Sequence, residues 1–359
     1  MHQFRDAAIA DKILERLASM RLNLTLMHVC GTHQDTIVRY GLDALLRKSG
    51  IIIRQGPGCP VCVTTTREIE EAVALARRGK IVATYGDMLR VPGATGSLMD
   101  ARSEGAKVKL VYSITDAVEI AKETDAEVVF VAIGFETTAP STAVTLLKNP
   151  PKNLSILSYH RYLPPALEAL LGMGELKIQG VIEPGHVSVI IGTKPYEKIS
   201  EKFSLPQVVA GFEPLDVLMA VYMIATQARD SKSNVENEYG RAVRKEGNRK
   251  ALEVLSEVFE PDNVRWRGFP TIPNSRMKLR NEFDSFDAEK KYSEDLKRIV
   301  NREFPEPAGC GCDRVLRGLM EPPECMLFGT RCTPQHPVGP CMVSMEGSCN
   351  IEYRYRRPV

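Results

Sequence analysis

Val128-Val129-Phe130-Val131-Ala132-Ile133 is an unbroken apolar run that ends in Gly134-Phe135-Glu136-Thr137-Thr138. A strand with one wet face alternates apolar and polar residues. A run without a polar member therefore predicts a strand buried on both faces, as in a parallel sheet covered by helices. Similar short runs lie on either side. Upstream, strands are predicted at residues 22–29, 51–53, 81–85 and 108–112, with helices at 36–48, after the Thr65-x-x-Glu68 capping box, at 115–123 and at 141–148. Downstream, strands are predicted at 154–158, 180–182, 187–191 and 207–210, with helices at 165–171 and 215–228. The alternation predicts an α/β protein.

Asn149-Pro150-Pro151 breaks the series, and Gly134-Phe135-Glu136 recurs as Gly211-Phe212-Glu213 at a second strand end. We read two doubly wound parallel-sheet units, residues 21–140 and 141–228, facing each other across a cleft. From residue 229 the composition changes. Charged residues with helical patterns at 237–259 and 288–303 surround an extended stretch holding Trp266, Pro270 and Pro273, and the chain beyond Phe304 is rich in Pro, Gly and Cys. Residues 229–359, with the N-terminal helix of 1–20 packed on them, form a third, mostly helical and irregular unit in this reading. Prolines at that density prevent long regular elements, so a metal centre is the natural means of holding the segment together.

The 359 residues carry 47 Lys+Arg against 45 Asp+Glu, a net charge of +2, and neither a basic arm nor a low-complexity tail is present. That balance argues against nucleic-acid binding. No apolar run reaches the ~18 residues of a membrane span, and residues 1–6 lack a signal-peptide pattern, so the expected location is the cytoplasm. The nine cysteines fall as Cys30, Cys59 and Cys62, then Cys310, Cys312, Cys325, Cys332, Cys341 and Cys349. In a reducing compartment such clusters read as metal ligands or redox thiols.

Ligands of open α/β sheets bind beyond the carboxyl ends of the strands, and the chemically capable residues collect there. Cys30 and His33 follow the first strand, Cys59 and Cys62 the second, Asp87 the third and Glu136 the fifth, while His186 lies in Pro184-Gly185-His186. Cys59-x-x-Cys62 has redox-dithiol spacing, with a zinc half-site or a packing pair as the alternatives. Cys30 suits a nucleophile or a soft-metal ligand, and Glu136 a ligand-orienting or proton-transfer role. Neither a Gly-x-x-x-x-Gly-Lys phosphate loop nor a Gly-x-Gly-x-x-Gly turn is present. A cluster needs four thiolates and the C-terminal region offers six, so spacing alone does not choose among them. Zinc remains possible, without its usual paired short spacings.

Cys30-Gly31-Thr32-His33, Gly56-Pro57-Gly58-Cys59-Pro60-Val61-Cys62, Tyr85-Gly86-Asp87-Met88, Gly134-Phe135-Glu136-Thr137-Thr138, Gly185-His186-Val187-Ser188 and Cys310-x14-Cys325-x6-Cys332-x16-Cys349 occur in this order. Together they resemble the HypD family, factors that help build the Fe(CN)2CO unit of NiFe-hydrogenases. Gln34 departs from the family pattern, in which many members carry Glu. The resemblance implies that Cys310, Cys325, Cys332 and Cys349 ligate a 4Fe-4S cluster in the third unit and leaves Cys312 and Cys341 unassigned. It implies a redox-active Cys59/Cys62 pair, similar to the cluster-plus-dithiol arrangement of ferredoxin-dependent thioredoxin reductases, and an iron site at Cys30 shared with a small HypC-type partner. His33, Asp87, Glu136 and His186 are then second-layer or proton-handling groups, and a HypE-type protein donates cyanide. The rival functions are a free-standing cluster-dependent thiol-disulfide reductase and a zinc-stabilised interaction module.

Overall fold

The computed structural model describes residues 2–356. Its strands are β1 (Leu24–His28), β2 (Ile51–Gln55), β3 (Ile81–Thr84), β4 (Val108–Leu110), β5 (Val128–Gly134), β6 (Leu154–His160), β7 (Gly180–Pro184), β8 (Gln207–Ala210), β9 (Val235–Asn237), β10 (Phe259–Arg265) and β11 (Thr271–Leu279). They form two separate parallel sheets, ordered β2-β1-β7-β8-β9 and β4-β3-β5-β6, and an antiparallel β10-β11 hairpin. The apolar run 128–133 becomes β5, buried at every position between β3 and β6. Among the described residues no helix is long and apolar enough to cross a membrane.

The α/β class and the two parallel sheets agree with the sequence reading, but strands are shared out differently. Both expected ranges, 21–140 and 141–228, contain strands of both sheets, because β1 and β2 pair with β7–β9 while β3–β6 form the other sheet between them. Leu26, Met27 and His28 of β1 sit opposite Gly180, Val181 and Ile182 of β7. Apolar runs identify strands, but every parallel strand carries the same run, so the run cannot specify a neighbour. Strand β9, outside both ranges, completes the first sheet.

Local differences have local causes. The helix expected over 36–48 is two helices, Gly31–Arg39 and Leu42–Lys48, separated at Gly41, whose φ of 64° is left-handed. The strand expected at 187–191 is the helix Gly185–Ile191. Val187 and Ile191 are its buried positions, one helical turn apart, and the Ser188 hydroxyl donates to the Pro184 carbonyl (2.8 Å). Helix Ala7–Ser19 packs on helices Pro214–Arg229 and Leu42–Lys48 rather than on a C-terminal unit. Its buried stripe, Ile13 and Leu17, joins Leu24, Leu46, Leu218 and Val221 in the core of the first sheet. Residues 229–303 likewise serve both sheets. Helix Arg249–Val258 packs on helix Ala139–Leu147, and β11 lies against β6. The Tyr162 amide donates to the Ser275 carbonyl (2.9 Å), and the Ser158 hydroxyl to the Met277 carbonyl (2.7 Å).

The hairpin tip is fastened by a buried ion pair. Arg161 donates to both oxygens of Glu68 (2.8 and 2.7 Å), its guanidinium lies 5.6 Å from the Trp266 ring, and Trp266 stacks on Phe135 at 5.7 Å. Burial opposes ionisation of Glu68, yet Arg161 and the Thr65 cap hold its pKa below the usual carboxyl value. Breaking one side of such a pair strands the other charge. Arg161→Ala is expected to destabilise the fold by about 3–5 kcal/mol in urea unfolding, and a loss near that of an exposed pair would refute its structural role. Glu183 of β7 is fully buried beside the Gln207 side-chain amide (2.9 Å), and burial pushes its carboxyl up to about 8. The folded chain keeps a proton there that the unfolded chain releases. The group thus favours folding at low pH, and its contribution is lost as pH climbs from the ordinary carboxyl range through about 8. Glu183→Gln, neutral throughout, is expected to fall less in Tm than the parent between about pH 5 and about pH 8.

Candidate functional site

Cys30 caps the amino end of helix Gly31–Arg39 with 6% of its surface exposed. The loop leading to Cys59 lies directly on its backbone. The Gly31 amide donates to the Gly58 carbonyl (3.4 Å), and a Cβ at Gly58 would fall 2.2 Å from the Cys30 nitrogen, so only glycine fits. Burial first, with a contribution from the Glu346 charge, pushes the Cys30 thiol up to about 11. Glu346 packs against Gly31 and lies within electrostatic reach of Asp87. Asp87 accepts from the Ser344 hydroxyl (2.9 Å) and the Met345 amide (3.1 Å), tying the β3 end to the C-terminal segment. Cys30, Asp87 and Glu346 therefore share one neighbourhood. Sequence reading missed Glu346, because nothing in Met345-Glu346-Gly347 relates it to a cysteine some 300 residues earlier.

Cys59 caps the short helix Pro60–Val63, and its sulfur accepts from the Cys62 amide (3.2 Å). The two residues form a disulfide across a Cα separation of 5.3 Å, and neither is exposed. Thr65 then starts the helix Thr66–Arg77 with the expected capping box.

The predicted histidines meet through an aromatic residue. His33 is fully buried, its Nε2 donates to the Gly211 carbonyl (2.9 Å), and its ring lies 5.1 Å from Phe212. His186 stacks on the same Phe212 at 3.9 Å. Burial lowers His33 to about 3 and His28 to about 4, so both are neutral, and His28 Nε2 donates to Gln34 Oε1 (2.8 Å). Gln34, the departure from the family pattern, thus serves as a buried acceptor.

Glu136 stands apart on a different wall. It is 1% exposed, Oε1 accepts from the Leu163 amide (3.0 Å), and Oε2 has no partner among the described residues. Burial pushes its carboxyl up to about 7. It lines a cavity with Tyr162, Pro164 and Lys198. The buried Tyr196 feels the charges of Glu183, Glu136 and Cys30, the nearest approach of Glu136 to the cysteine group.

All six C-terminal cysteines line one cavity, with Val315, Leu327, Phe328 and Met342 filling its apolar wall. Cys312, Cys332, Cys341 and Cys349 are buried, whereas Cys310 and Cys325 are partly exposed. Cys312, Cys341 and Cys349 lie in the first turns of helices Cys312–Leu316, Pro340–Val343 and Ser348–Tyr355, where amides lack intrahelical acceptors. Cys332 accepts from the Val338 amide at 3.3 Å. Cys312 and Cys341, which the sequence left unassigned, stand in the same wall as the four expected ligands. Among the described residues no three His, Cys, Asp or Glu side chains converge to hold a single metal ion. The disulfide-bearing helix Pro60–Val63 packs on the helices Cys312–Leu316 and Pro340–Val343, so the dithiol adjoins the six-cysteine wall.

Residues 6–356 match the family described as HypD: Hydrogenase formation hypA family. A putative hydrogenase expression/formation protein of Methanocaldococcus jannaschii is 49% identical, with 99% of this chain and 100% of the relative aligned. Hydrogenase maturation factors HypD of Cupriavidus necator and Rhizobium leguminosarum bv. viciae are each 42% identical over 99% of this chain, covering 97% and 95% of their own lengths. With the ordered motifs, near-complete coverage and identities of this size, the chain belongs to the HypD family of hydrogenase maturation factors.

Proposed function

We propose that the protein is a redox-active scaffold on which the Fe(CN)2CO unit of a NiFe-hydrogenase is assembled, together with HypC-type and HypE-type partners in the cytoplasm. The observation that carries this reading is the contact between the Cys59–Cys62 helix and the two helices that bring Cys312 and Cys341 to the six-cysteine cavity. The donor set fits an iron-sulfur group. Its ligands are soft sulfurs on an apolar wall, and a cluster ligated by four cysteines takes one thiolate per iron, so it needs sulfurs spread around a cavity rather than converging on one point. Cys310, Cys325, Cys332 and Cys349 would hold a 4Fe-4S cluster. When bound, the cluster supplies one-electron transfer beside the disulfide.

The chain's own residues do the rest. Cys30 offers the incoming iron a thiolate in a site with little access to water, the surroundings that cyanide and carbonyl ligands require. Burial and the Glu346 charge keep the free thiol protonated. Metal binding must displace that proton, because the thiolate is the ligand. Asp87 and Glu346 are the nearest acidic groups on the page to receive it, while His33 and His186 flank Phe212 at the adjoining strand ends. The buried sulfurs of Cys59 and Cys62 argue against a reductase acting alone on protein disulfides, since exchange needs in-line access of a foreign thiolate.

The deciding measurement is anaerobic purification with iron, acid-labile sulfide and zinc analysis, followed by infrared spectroscopy of the complex with a HypC-type partner. Brown protein with cyanide and carbonyl stretching bands supports the reading, and a colourless zinc protein without labile sulfide sinks it. Cys30→Ala is expected to lose the cyanide and carbonyl bands while retaining labile sulfide. Cys332→Ala is expected to lose iron and sulfide together and to unfold at lower temperature. Retention of the dicyano-carbonyl bands in Cys30→Ala would refute the role given to Cys30.

A further inference from the structure

Behind the dithiol helix lies a cavity of about 330 Å³ that the maturation chemistry does not use. Its floor is the start of the twelve-residue helix Thr66–Arg77, and Thr66, Arg67, Arg265, Arg267 and Arg302 line it. The first amides of that helix have no intrahelical acceptor, and the helix dipole favours an anion there. Two buried side chains in the same wall lack partners among the described residues. Thr66 is 5% exposed with Oγ1 unpaired, and Arg267 is 2% exposed with Nη2 unpaired. The remaining donors of Arg267 are engaged: its amide binds the Val63 carbonyl (2.9 Å), Nε the Thr64 carbonyl (2.9 Å), and Nη1 the Glu306 carboxylate.

Glu306 shows what this guanidinium accepts, since an oxyanion already occupies one side of the fork. The cationic side chains exceed the acidic ones in the lining, four arginines against Glu303 and Glu306. Arg67 is shared with Glu71 at 3.5 Å, whereas Arg265 is solvent-exposed at the rim.

We propose that this cavity binds a phosphate-type oxyanion, either the free ion or the phosphate end of a larger molecule, held by Thr66 Oγ1, the first amides of helix Thr66–Arg77, Arg267 Nη2 and Arg265. A hydroxyl donor, helix amides and a planar guanidinium are the groups that match tetrahedral oxyanions, and the volume exceeds what one ion fills. The site adjoins the chain just after Cys62, because Arg267 also holds the Val63 and Thr64 carbonyls.

The test is calorimetric titration of the purified full-length protein with inorganic phosphate and, separately, phenyl phosphate. One probe molecule is expected to bind per chain. If inorganic phosphate binds tighter, the natural ligand is the free ion, and if phenyl phosphate does, it is a phosphate ester. Arg265→Ala, at the exposed rim, is expected to weaken binding about tenfold without altering the circular dichroism spectrum, and Thr66→Val to weaken it several-fold. Arg267→Lys keeps the charge but loses the fork and is expected to weaken binding similarly. Absence of binding by both probes at millimolar concentration would overturn the proposal, as would affinities unchanged in both Arg265→Ala and Thr66→Val.

Discussion

The pairing of β1 with β7 is the constraint on which the remaining structure depends. Leu26, Met27 and His28 align with Gly180, Val181 and Ile182, and the loop so closed contains the entire second sheet. Closing so long a loop costs little more than closing a short one, because loop entropy grows only with the logarithm of length. What specifies the pair is burial on both faces. Leu26 and Ile182 meet the apolar helix Pro214–Arg229 in one core, while Met27 and Val181 belong to another. This pairing sets the Cys30 strand end beside that of His186, and places His33 and His186 on either side of Phe212.

The site is unusual in how few of its ionisable groups carry charge. Cys30 is held up, His28 and His33 are held down, and Glu136 and Glu183 are raised toward neutrality, in each case chiefly by burial. Water exclusion therefore sets their protonation more than pairing does. Where the fold does bury a charge pair, Arg161 with Glu68, it fastens the hairpin tip against the helix that follows the dithiol. That tip also carries Arg267, whose bonds to Val63 and Thr64 link it to the chain just after Cys62. The disulfide helix is thus gripped from the hairpin on one side and from the C-terminal helices on the other.

Much of this was legible locally. The apolar run at 128–133, the capping box of Thr65 and Glu68, the Cys59-x-x-Cys62 turn and the crowding of six cysteines after residue 309 each depend on neighbours within a few residues, and each appears as read. The misread pieces depend on distant neighbours. Residues 187–191 look β-branched enough for a strand, but the buried pair Val187 and Ile191 makes them a helix. The N-terminal helix found its partner in helix Pro214–Arg229 because apolar stripes are interchangeable in sequence and distinguishable only by shape.

The sequence by itself determined the α/β class, the family and the cysteines that matter, because these rest on periodicity, ordered motifs and spacing along the chain. Only the tertiary structure decided that β1 and β2 join β7–β9, that Glu346 lies near Cys30 and Asp87, and that Cys312 and Cys341 stand in the same wall as the other four cysteines. The physical reason is the same in each case. Sheet neighbours and site neighbours are chosen by burial and fit between segments hundreds of residues apart, and a one-dimensional pattern records what each segment can bury but not what it is buried against.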